Sequence, residues 1–162
     1  MTKERLARYI LELGLASKLP DVRTSFETRL ELQKTIYLLE EAGAKLGYSF
    51  GWYKHGPYSS SLADDAYRLA SLPTLILEQF QASVDKEPVT KFKKLTDSVT
   101  TNRASQLEML SCVHYVMRHS YPLARTKKVA VEAILDLKGD RFSRADIEKA
   151  YDGLQRAGYI RE

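Results

Sequence analysis

A chain of 162 residues and 18.5 kDa, 44% hydrophobic and 28% charged, suits one domain with a normal core, which excludes a disordered chain and a large two-domain enzyme. A single cysteine excludes an internal disulfide framework and a cysteine-built zinc cluster, and the short apolar stretches leave no signal peptide or membrane span, so a soluble cytoplasmic protein is expected. The net charge of +4 is uneven: residues 118–144 carry 7 basic and 3 acidic side chains, against 15 and 14 in residues 1–117 and 3 and 4 in residues 145–162.

In chain order, Thr2 can cap a first helix with an apolar stripe of Leu6, Tyr9, Ile10, Leu13 and Leu15, closed by Pro20. Thr24 and Glu27 stand at capping-box spacing before a second helix over about residues 26–46. Its apolar face is Leu32, Ile36, Leu39, Gly43 and Leu46, and its wet face is Arg29, Lys34, Glu40, Glu41 and Lys45. After Gly47 the period shortens to two, with Tyr48, Phe50 and Trp52 suiting an extended run, and a turn is expected within Tyr53–Tyr58, where Pro57 fixes its own φ and pushes Gly56 towards extended conformations. Ser61 and Asp64, again at capping-box spacing, precede a third helix (Leu62, Ala66, Leu69, Leu72) stopped by Pro73, and a short helix is expected within 74–84.

Residues 85–102, polar and rich in Lys and Thr, read as an exposed connector between an N-terminal half (1–84) and a C-terminal half (103–162) of one domain. Helical spacing returns at Ser105 with Leu107, Leu110, Val113 and Met117, ending at Tyr121-Pro122. Thr126 then caps a helix with Ala130, Ile134 and Leu137, stopped by Gly139. Ser143 and Asp146 open a last helix with Ile147, Tyr151 and Leu154, stopped by Gly158. The expected fold is mainly α: a compact multi-helix domain with a short aromatic extended or hairpin segment and a C-terminal helix pair like a truncated winged helix.

Chemistry-bearing patterns are sparse. His114 and His119 are five apart, unsuited to joint ligation from one helix face, and no HExxH or paired cysteines accompany His55, so neither a metal nor a cofactor is expected. Cys112 sits in an apolar helix as a small hydrophobe, and no phosphate-binding glycine loop exists, so no enzyme activity is expected. The densest feature is aromatic: Tyr48, Phe50, Trp52, Tyr53, His55 and Tyr58 lie within eleven residues, beside Lys54. Two explanations remain open, a core edge and an aromatic, cationic anchor for a partner, and both hold if Trp52 points inward and Tyr53, His55 and Tyr58 outward.

The string from Leu32 to Asp65, LQKTIYLLEEAGAKLGYSFGWYKHGPYSSSLADD, resembles the signature of the YwgA-like proteins and, more remotely, of the Panacea (SocA-like) antitoxin domain. Lys34, Tyr37, His55, Gly56, Pro57, Tyr58 and Ser59 stand at the matching places, with His55 where the antitoxin branch commonly has Tyr. LSCVHYVMRHSYP and FSRADIEKAYDGLQRAGYI resemble the closing helices of the YwgA-like group. The resemblance implies a helical, non-enzymatic domain that binds a protein partner, a toxin or a defence-system component, through Trp52, Tyr53, Lys54, His55, Tyr58 and Ser59.

The alternative is a DNA-binding regulator, because the last helix and its Gly-Tyr-Ile ending also resemble a winged helix. Its contacts would be Arg118, Arg125, Lys127, Lys128, Arg141 and Arg144. That last helix carries Asp146, Glu148 and Asp152 beside its basic residues, and the chain stops at Glu162 with no residues left for a wing.

Overall fold

The computed structural model describes residues 2–120 and 124–161, which form eight α-helices and one antiparallel hairpin, the mainly α class expected. The helices are α1 (Thr2–Glu12), α2 (Phe26–Glu41), α3 (Ser60–Ala70), α4 (Thr74–Glu78), α5 (Lys86–Thr96), α6 (Arg103–Arg118), α7 (Lys127–Lys138) and α8 (Arg144–Arg156). The strands are β1 (Gly51–Tyr53) and β2 (Gly56–Tyr58), and a 3-10 turn spans Leu19–Arg23. None of the described helices is long and apolar enough to cross a membrane.

The second helix differs most from its expected form. Every residue from Leu30 to Leu39 is buried, so α2 has no wet face through its middle. α6, α5, α3, the 3-10 turn and β2 all pack on it, and α6 in turn carries α7 and α8. Burial all round is the situation of a central helix, in which polar side chains must find protein partners. Glu31 pairs with Lys18 and Arg103, Gln33 with the Ser59 backbone, Lys34 with the Pro57 carbonyl and Tyr37 with His114. The helix starts one residue later than the capping box suggested, because the Ser25 hydroxyl, not that of Thr24, accepts from the Thr28 amide at 3.1 Å. It also ends at Glu41, so Gly43, at φ +110°, lies beyond the helix.

A shift of two residues occurs at the third helix. Ser59 rather than Ser61 caps α3, accepting from the Leu62 amide. Thr126 and Ser143 cap α7 and α8 as expected, through the Val129 and Asp146 amides. α7 and α8 pack on each other and on α6, with Tyr159 and Ile160 buried beyond α8 and no strand following it among the described residues. The Tyr121-Pro122 stop lies outside the described residues.

The expected connector is a helix. Within 85–102, α5 buries Val89, Phe92 and Leu95 against α2 and α8. Their spacing of three is helical, and Pro88 sits in the first turn, where a missing N–H is tolerated. The many lysines coat its outer side and mask the stripe. Phe92→Ala therefore costs about 3–5 kcal/mol in urea unfolding, as for other buried aromatics, whereas a connector residue would cost almost nothing.

Candidate functional site

The hairpin is pinned beneath as well as along its own ladder. Gly51 pairs with Tyr58, Trp52 with Pro57 and Tyr53 with Gly56, so the reversal falls on Lys54-His55 and Gly56-Pro57 already belongs to the returning strand. Gly56 is not extended; it takes φ +92°, and a Cβ there would lie 2.5 Å from Cys112 Sγ. Glycine alone combines that backbone with that closeness to α6. The close approach brings the Pro57 carbonyl to the buried Lys34 ammonium at 2.5 Å. Two residues further, Ser59 and Gln33 bond reciprocally, amide to side-chain oxygen (2.9 Å) and side-chain nitrogen to carbonyl (2.8 Å).

These links split the six anchor residues proposed from the sequence. Tyr53 and Tyr58 are exposed and meet edge-to-face at 5.4 Å, and Lys54 is exposed at the tip. Half-buried His55 stacks edge-on against the exposed Phe26 of α2, with ring centroids 4.8 Å apart. Partial desolvation lowers the His55 pKa against the pull of Glu108, with Lys138, Lys54 and Arg141 adding to the lowering. Trp52 turns inward, stacking on Tyr115 at 5.3 Å under the Lys138 ammonium. Ser59 is buried in its capping role and presents no free surface, and Trp52 is partly buried against the core.

Tyr53, Lys54, His55 and Tyr58 line one side of a cavity of about 320 Å³ whose other walls are Phe26, Arg29, Leu30 and Gln33 of α2 and Ala63, Ala66 and Tyr67 of α3. Its surface is mostly apolar, its charged groups are Arg29, Lys34 and Lys54, and no acidic side chain lines it among the described residues. Phe26, Arg29 and the α3 wall were absent from the sequence-derived set, since nothing in local spacing ties them to the hairpin.

Lys34 forms part of the floor. Burial pushes its pKa down to about 8, partly opposed by the Glu108 charge and reinforced by Lys138. Cys112 is fully buried, and burial pushes its thiol up to about 12, which leaves it un-ionised and inert as expected. Glu108 is fully buried on α6 and is held by Arg141 at 2.7 Å and Lys138 at 3.3 Å. Of the basic residues offered as a nucleic-acid face, Arg141 is thus engaged with Glu108, Arg144 with Glu132 (2.7 Å) and Lys127 with Asp152 (2.9 Å), while Arg118, Arg125 and Lys128 are exposed.

A second cluster lies at the other end of α2. The spacing rule applied to His114 and His119 fails here, because α6 ends at Arg118 and His119, at φ −128°, has left the helix. Its ring turns back so that Nε2 lies 2.5 Å from Glu41 Oε1, while His114 Nδ1 lies 3.7 Å from the same oxygen. Burial first, then the nearby His119, Arg118 and Lys91, hold His114 near pKa 3. It is therefore neutral, and its Nδ1 accepts from the Tyr37 hydroxyl at 2.7 Å.

No family model matches the chain, and neither a curated protein nor a solved structure matches it significantly.

Two outcomes test the hairpin's underpinning. Gly56→Ala costs about 2–4 kcal/mol in chemical unfolding, from the left-handed backbone and the Cys112 clash together, and the cost shrinks when measured in a Cys112→Ala background. Lys34 gives a pH signature: between pH 8 and 10 the unfolded chain keeps a proton on Lys34 that the folded chain has released, so the Lys34 contribution to stability rises with pH, by about 2 kcal/mol over that range. The raised Cys112 thiol and the buried tyrosines act in the opposite direction there, so the signature is read as the difference in urea-unfolding stability between the native chain and Lys34→Met, which grows by that amount from pH 8 to 10.

Proposed function

We propose that the protein is a protein-binding module that seats an apolar segment of a partner, flanked by acidic residues, in the groove between α2, the hairpin and α3. One observation carries this: an apolar groove rimmed by exposed Phe26, Tyr53 and Tyr58 has cations at its edge and no acid in its described lining. Exposed aromatic rings on a rigid support lose little entropy on binding, and Arg29 and Lys54 complement a carboxylate beside the anchor. The Leu32–Asp65 string belongs to this reading, because the YwgA-like and Panacea resemblance implies binding without chemistry. The competing nucleic-acid reading has less free charge to draw on, since Lys127, Arg141 and Arg144 are already paired with carboxylates.

Selection of a random peptide-display library on the folded protein tests the reading. Enriched peptides should share a bulky apolar residue next to Asp or Glu. By fluorescence anisotropy, Ala63→Phe, which fills the groove from α3, and Tyr53→Ala should each weaken a selected peptide by roughly tenfold or more without shifting Tm. Peptides that bind equally well to the filled groove would sink it. So would duplex DNA binding with a steep salt dependence that Arg125, Lys127 and Lys128→Ala abolish.

A further inference from the structure

We propose that Glu41, His114 and His119 form a binding site for a divalent transition-metal ion of the zinc class. Among the described residues they are the one group of three metal-ligating side chains brought together, with ligand atoms within 4.8 Å of one another. Two imidazoles and one carboxylate form a donor set that zinc accepts, with one position left for water or another ligand. Four-coordinate zinc, with nitrogen and oxygen ligands at about 2.0–2.2 Å, places neighbouring ligand atoms roughly 3.3 Å apart. The observed 2.5 Å and 3.7 Å to Glu41 Oε1 bracket that spacing, while the full set spans up to 4.8 Å, so the ligands have to close on the ion.

The part of the site that must be preformed is the rigid part. His114 is 2% exposed in mid-α6, and its ring is oriented from both sides, with Nδ1 towards Tyr37 and Glu41 and the opposite nitrogen directed at the Tyr159 backbone. A carbonyl acceptor on one ring nitrogen fixes the proton there and leaves the other as a lone-pair donor, the arrangement that supports metal-bound histidines; an ion at Nδ1 takes the place of the Tyr37 hydroxyl, which has to turn away. The part that must move is free to do so. The His119 side chain is 42% exposed just past the helix end, and Glu41 is the last residue of α2, so opening their contact by under about 1 Å needs side-chain rotation alone. Phe50, Tyr37 and Tyr115, with Glu40 and Lys45, line an adjoining open cavity of about 210 Å³ that gives an ion and its water a way in. A simple Glu41–His119 ion pair would account for the 2.5 Å contact, but would not require a neutral, aligned histidine behind it.

The test uses the full-length chain freed of metal and titrated with Zn²⁺ alone by isothermal calorimetry, with Co²⁺ as a spectroscopic probe. One equivalent should bind. His119→Ala and Glu41→Gln should each weaken binding roughly tenfold or more, and His55→Ala should leave it unchanged. Co²⁺ should show the intensified visible bands of four-coordinate geometry in the native chain and lose them in His119→Ala. His114 is too deep for a clean deletion, so its participation is read by the ¹⁵N shift of Nδ1 on Zn²⁺ addition. Absence of saturable binding, binding undiminished by His119→Ala and Glu41→Gln, or an unmoved Nδ1 resonance would each overturn the site and leave the cluster an ion pair.

Discussion

The structure depends on burying one helix on every side. Ten consecutive residues of α2 lie out of water, and four of them, Glu31, Gln33, Lys34 and Thr35, are polar or charged, all but the Thr35 hydroxyl with a hydrogen-bond partner. Leaving such groups unpartnered costs about 1–3 kcal/mol each, more for a charge. The surrounding segments therefore have to arrive in register as well as pack. Glu31 fixes the 3-10 turn through Lys18 and the start of α6 through Arg103. Gln33 fixes the start of α3, Lys34 the hairpin and Tyr37 the middle of α6. The apolar contacts supply most of the stability, and the polar ones decide which segment lies where.

The candidate groove follows from that register. Lys34 draws the Pro57 carbonyl inward, and Gly56 lets β2 come down on Cys112, so the hairpin is held at its base while its tip leans over α2. Ser59, one residue beyond, is tied to Gln33 and caps α3, which places Ala63 and Ala66 opposite Phe26 and Leu30. Small residues on α3 facing larger ones on α2 keep the two helices from filling the space between them. The same residues that satisfy the central helix thus leave a cavity beside it.

Much of this was legible in the sequence, and the failures share a cause. Helix positions followed from apolar spacing and capping residues, and the inward Trp52 and outward tyrosines followed from alternation. What was missed depended on tertiary surroundings. Lys34 looked wet because period and charge cannot show that a hairpin 23 residues further along the chain returns to cover it. The stripe of α5 was hidden by lysines on its outer face. The two histidines were dismissed by a rule valid within a helix, when the helix ends between them. Ser59 entered the anchor set through the family resemblance, yet its hydroxyl accepts from the Leu62 amide.

The basic excess of residues 118–144 takes on a different meaning once Glu108 is located. A carboxylate with no exposure on α6 must be met by cations, and Lys138 at the end of α7 and Arg141 just after it converge on it. Lys138 also donates to the Lys54 carbonyl at the hairpin turn and lies over Trp52, so one ammonium links α6, α7 and the hairpin. Removing both Lys138 and Arg141 would leave the buried carboxylate with no counterion, which is costlier than losing a surface pair. Part of the local positive charge is therefore a structural countercharge. It sits in the segment after α6 because the buried acid it neutralises lies on α6, beneath the hairpin that the groove depends on.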